Sequence, residues 1–77
     1  MTGEPVSWLV IEKGWRVVGR GGSELGIVDE VLGDEEKDIF NGLNVSSGLL
    51  SSLSYVPAER VVEIREGEIE LDLDRLA

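Results

Sequence analysis

Glu68-Ile69-Glu70-Leu71-Asp72-Leu73-Asp74 alternates without a fault: every second residue is apolar and every other one is acidic. Successive side chains of a strand point to opposite faces, so the pattern puts Ile69, Leu71 and Leu73 on one side and four carboxylates on the other. A helix would scatter both classes around its axis. The stretch 68–74 therefore reads as a β-strand with one covered face and one wet face. Glu66-Gly67 just before it reads as a hairpin turn that brings an earlier strand alongside. Like charges at i and i+2 repel modestly and blunt edge pairing, so the acidic ladder is either a solvated face or a docking surface for a basic partner.

Moving upstream, 58–64 is ambiguous. Ala58, Val61 and Val62 suit a helical face, whereas Val61-Val62 and Ile64 suit a strand; a turn at 58–60 followed by a strand reconciles the two. Tyr55-Val56-Pro57 signals an edge strand, because proline sits in a sheet only where its missing N–H is not needed. The stretch 48–54 reads as a loop or single turn, and 39–46 as one strand kinked at Asn41-Gly42. The segments flanking that pair are too short for a good hairpin. Residues 33–38 form a solvated acidic turn. In 24–32 the alternation slips by one residue near Gly26, the mark of a bulge. Residues 15–18 make a short strand that reverses through Gly19-Arg20-Gly21-Gly22-Ser23. The apolar segment 6–11 is expected to be a strand or a sheet-edge arm, broken at Lys13-Gly14. Residues 1–5 read as a flexible terminus, leaving 6–77 as a single domain.

Composition narrows the possibilities. A chain of 77 residues buries roughly 60% of its unfolded surface, enough for one core. Cysteine and histidine are both absent, which removes disulfides, thiolate nucleophiles, imidazole metal ligands and the usual proton shuttle. No cofactor is implied. Sixteen acidic against seven basic residues give a net charge of -9, which repels nucleic acid and anionic lipid at long range. The apolar run Trp8-Leu9-Val10-Ile11 is far below the roughly 20 residues of a membrane span, and no signal-peptide pattern opens the sequence. The expectation is a cytoplasmic protein with no membrane partner. Several short strands with glycine reversals and no room for crossover helices imply an all-β fold. The architecture expected is a small antiparallel β-barrel of about five to six short strands with at most one short helical turn.

The order of these segments resembles the PRC-barrel family, the small β-barrel shared by the cytoplasmic domain of photosynthetic reaction-centre H subunits and by ribosome maturation factors. The resemblance rests on Gly14-Trp15-Arg16-Val17-Val18 before a glycine turn, and on Glu24-Leu25-Gly26-Ile27-Val28-Asp29-Glu30-Val31 after it. Tyr55-Val56-Pro57-Ala58-Glu59-Arg60-Val61 and Gly67-Glu68-Ile69-Glu70-Leu71 complete it. Where the family usually has Asp-Gly in the first turn, this chain has Arg20-Gly21-Gly22, which keeps the turn and loses the acid. The resemblance implies a barrel that docks proteins or RNA-processing machinery, with no catalytic residues to carry over.

Candidate sites follow from residue type. Trp8, Leu9, Trp15, Phe40, Leu49 and Leu50 are the candidate interface, through which the chain would form a homodimer or dock a protein partner, because a small barrel cannot bury them all. Lys13, Arg16 and Arg20 beside Gly21 and Gly22 could contact an anion; the simpler account of the glycines is a β-turn. Asp34, Glu35, Glu36 and Asp38 lack the every-second-position ligand spacing of a calcium loop. The five serines between 46 and 54 have no histidine to activate them, so no enzyme is expected. The functional expectation is a non-catalytic, self-associating protein-binding or adaptor module. Its alternative is an accessory RNA-processing or ribosome-assembly factor that touches RNA through the local basic patch.

Overall fold

The computed structural model describes residues 7–47 and 52–76. Among these residues, six strands form one sheet: β1 Arg16–Val18, β2 Glu24–Asp34, β3 Ile39–Ser46, β4 Leu53–Pro57, β5 Val61–Arg65 and β6 Glu68–Leu71. Their order across the sheet is β4-β3-β2-β1-β6-β5. The fold is all-β, as the alternating segments lead one to expect.

The sheet rolls up because its apolar side chains have nowhere else to go. Val17, Val28, Leu43, Val45, Val56, Ile69 and Leu71 come from five strands, β4 at one end of the sheet order among them, and pack into one cluster with Ile11. Val61 and Ile64 of β5 lie against the same cluster. A flat sheet could not bring β4 and β5 to a common core, so curvature follows from burial. A 3-10 turn, Ala58–Arg60, carries the chain from one end of the sheet order to the other. The result is barrel-like, with the six-stranded ribbon bent around a single apolar interior.

Two of the register irregularities fall where the sequence pattern breaks. Val17 pairs with Gly26 and Val18 with Glu24, leaving Leu25 as the extra residue of a bulge. Leu32 pairs with Gly42 and Gly33 with Phe40, which places a second bulge at Asn41. β3 is thus one strand kinked at Asn41-Gly42, with the same bounds as expected. Glu66-Gly67 forms the β5–β6 hairpin.

Several details differ from expectation. Residues 8–10 of the 6–11 segment form a 3-10 turn, Trp8–Val10, instead of a strand. The Ser7 hydroxyl accepts from the Leu9 amide, and the Trp8 side chain is held by the sheet, which together favour a tight local turn. That makes two short helical turns among the described residues where at most one was expected. Pairing is antiparallel in four of the ladders, whereas β1 and β6 run parallel. β6 also ends at Leu71, although its alternation runs on to Asp74. Its neighbour β1 ends at Val18, and beyond that point the Asp72 amide donates to the Arg60 carbonyl while the Leu73 carbonyl accepts from the Arg20 amide.

Candidate functional site

The outer face of the sheet divides into an ionic half and an apolar half. β6 and the segment after it carry the acidic ladder, and every member of it meets an arginine. Glu68 lies 3.8 Å from Arg16 and 3.5 Å from Arg65, and Glu70 lies 3.2 Å from Arg65. Asp72 lies between Arg20 at 3.4 Å and Arg60 at 3.8 Å, and Asp74 is 3.8 Å from Arg20. Arg65 also reaches Glu63 on its own strand at 2.7 Å. The hydrogen bond to Glu70, with the further pull of Glu63 and Glu68, holds the Arg65 guanidinium above its ordinary range against a smaller opposing effect of burial.

This arrangement decides what the anion-contact residues can do. Arg16 and Arg20 are committed to carboxylates of β6 and of the segment after it. In the glycine turn, the Gly19 amide donates to the Ser23 carbonyl, the Arg20 amide to the Leu73 carbonyl and the Gly22 amide to the Gly19 carbonyl. Three of the donors that would line an anion cradle are therefore spent within the chain. Lys13 is exposed and, among the described residues, has no carboxylate at ion-pair distance.

The aromatic candidates are partly used by the fold. Trp8 stacks on Phe40 with centroids 5.3 Å apart and planes 13° from parallel, and its indole N–H donates to Asp38 at 2.8 Å. The ring also covers Gly33, where a Cβ would lie 2.8 Å from the indole Cη2. Trp15 is half-buried against the core, while Leu9 is exposed. Leu49 and Leu50 lie outside the described residues.

Of the apolar half, Ile27 and Leu53 were not singled out in the sequence. One row of cross-strand neighbours runs Arg65, Glu68, Arg16, Ile27, Ser46, Leu53. Charge ends at Arg16, and Ile27 and Leu53 follow as exposed aliphatic residues. In the next row Glu30, Asn44 and Tyr55 are neighbours, with Asn44 donating to Glu30 at 3.4 Å. Tyr55 lies across β3, its hydroxyl donating to the Asn41 carbonyl at 2.9 Å, over a Gly42 whose Cβ would fall 2.8 Å from that hydroxyl. Leu53 and Tyr55 are 55% and 54% exposed. The alternation around buried Val56 is the signal that could have found them, since period two puts residues 53, 55 and 57 opposite it.

Glu30, in the row of Tyr55, belongs to an acidic segment. Segment 24–38 carries Glu24, Asp29, Glu30, Asp34, Glu35, Glu36 and Asp38 against the single base Lys37. Asp34 organises the hairpin turn by accepting from the Glu36 and Lys37 amides at 3.0 and 3.3 Å. Among the described residues, no group of three or more potential ligands is arranged to hold a metal, and no helix is long and apolar enough to cross a membrane.

The rolled six-stranded ribbon is barrel-like, and its likeness to a solved structure supports a PRC-barrel-like fold. It is similar to a solved structure from Pseudomonas aeruginosa described as a 16S ribosomal RNA processing protein, RimM, with 24% sequence identity and a TM-score of 0.57. The match covers 80% of this chain and 40% of that one, so the chain corresponds to well under half of the longer protein. No protein-family model and no curated protein matches the sequence.

Proposed function

We propose that this chain is a non-catalytic, cytoplasmic protein-binding module of PRC-barrel type, whose partner presents a basic polypeptide surface. The observation that carries this reading is the commitment of Arg16, Arg20, Arg60 and Arg65 to carboxylates, while the seven acids of segment 24–38 have no arginine at ion-pair distance among the described residues and one of them, Glu30, shares a cross-strand row with exposed Tyr55. Such a surface suits cationic polypeptide with apolar side chains and repels phosphate. It also disfavours a second copy of the chain, since each copy carries a charge of -9.

The likeness to a ribosomal RNA processing protein favours a second reading, in which the chain touches RNA. Fluorescence anisotropy separates the two. One arm uses a labelled peptide of about ten residues alternating lysine and valine, the other a single-stranded RNA of about twenty nucleotides, both at about 150 mM salt. The protein-binding reading expects saturable binding of the peptide and none of the RNA. Binding of RNA that weakens by orders of magnitude on doubling the salt supports the second reading and overturns the first.

A further inference from the structure

We infer that β4 is a docking edge, which takes an extended cationic segment of another protein as a seventh strand. The inference deepens the protein-binding reading and rests on it.

The hydrogen-bond parity of β3 and β4 supplies the geometry. In an antiparallel pair, hydrogen-bonded and non-hydrogen-bonded residue pairs alternate. The Ser47 amide donates to the Ser52 carbonyl, which makes 47 and 52 a hydrogen-bonded pair. Counting along the register, Val45 with Ser54 and Leu43 with Val56 are hydrogen-bonded as well. Ser46 with Leu53, Asn44 with Tyr55 and Gly42 with Pro57 are not. Leu53 and Tyr55 therefore turn their N–H and C=O groups away from β3, toward the edge where the sheet order ends. Pro57 shares that parity, so its lack of an N–H costs the β3 ladder nothing and stops an added strand at the corner.

The two ends of the sheet order are treated differently. β5 carries a register shift between Val61 and Glu63 and the ion-paired side chains of Glu63 and Arg65, devices that deter edge pairing. β4 has no charged residue and no register shift against β3. An edge blunted only by Pro57 at its end, in a chain this acidic, suits an incoming strand whose own charge is opposite. Its backbone would meet Leu53 and Tyr55, its apolar side chains would lie beside theirs on the outer face, and its lysines or arginines would be drawn by the chain's net charge of -9.

The test uses the same alternating lysine–valine peptide on the intact chain, with amide hydrogen exchange followed by NMR. The inference expects the Leu53 and Tyr55 amides to exchange freely without peptide and to gain roughly tenfold or more protection at saturation, while Ser54 and Val56 are protected in both states. Peptides N-methylated at alternate residues sharpen the result: one parity abolishes binding and the other leaves it intact. A peptide that binds without protecting Leu53 and Tyr55, or that tolerates both methylation patterns, overturns the docking edge and leaves the protein-binding reading standing. A peptide that does not bind overturns both. Protection of these two amides in the free protein that rises with its own concentration makes the occupant a second copy and overturns the cationic one.

Discussion

Arg65 is the residue whose surroundings do most to define the ionic half of the sheet. Its guanidinium meets Glu63, Glu68 and Glu70, and its side chain is only 23% exposed, so solvent screens these contacts less than those of Arg16, Arg20 or Arg60. Its pKa is raised in the folded state, so its contribution to stability is complete below the unfolded value and lost only as pH climbs through the folded one. That window lies far to the alkaline side, and Arg65 itself lends no pH dependence near neutrality. Removing the charge leaves three carboxylates crowded together. Arg65→Met is expected to cost about 1–2 kcal/mol, or a fall in Tm of about 5–10 °C by circular dichroism at about 0.1 M salt. Raising the salt to about 1 M shortens the screening length to roughly 3 Å and should close much of the gap to the parent. An equal loss at both salts would assign the effect to packing of the arginine stem instead. None of these partners was legible in the sequence, where Arg16 and Arg20 read as free cations. Their acids lie some fifty residues away along the chain and arrive only through the parallel β1–β6 pairing.

At the scale of elements, strands whose pattern is local were legible and contacts set by tertiary packing were not. β3 keeps its expected bounds because Asn41-Gly42 marks a bulge, and the 58–60 turn followed by β5 emerges from an ambiguous stretch because proline at 57 ends the preceding strand. The segment around Trp8 misleads because its apolar residues fit a strand by composition, while its conformation depends on Gly33 and Phe40 far along the chain. This contact clamps the first 3-10 turn onto the β2–β3 hairpin. Trp8→Ala uncovers Gly33 and Phe40; since the indole is half-buried, the expected cost is about half that of a core tryptophan, roughly 1.5–2.5 kcal/mol in urea unfolding. Trp8→Phe keeps an aromatic stack and loses the bond to Asp38, so its cost should stay under about 1 kcal/mol. If the two variants lose equal stability, the hydrogen bond rather than the stack secures the turn. The candidate interface was legible to the same limited extent, because aromatic residues announce themselves by type while Ile27 and Leu53 announce themselves only by register.

For the whole molecule, the small interior sets how much any surface feature can be asked to do. Among the described residues, Leu43, Ile69, Leu71, Val17, Val28, Val45, Val18 and Val56 are all but fully buried. A chain of this length has a total stability of roughly 4–12 kcal/mol at the usual per-residue range. Leu43 sits at the centre of β3, fully buried and paired across to Val31 on β2 and Val56 on β4. Its truncation should therefore be felt by three strands at once. Leu43→Ala is expected to cost about 2–5 kcal/mol, with the upper end applying if neighbouring strands cannot collapse into the space. The β3–β4 backbone ladder holds these strands at fixed spacing, which opposes collapse and favours the upper end. Urea unfolding should thus show a midpoint well below that of the parent, with an unchanged slope because the same surface is exposed on unfolding. A loss below about 1 kcal/mol would mean that the sheet tightens around the missing side chain, and the ribbon would then be more compliant than its registered pairings imply.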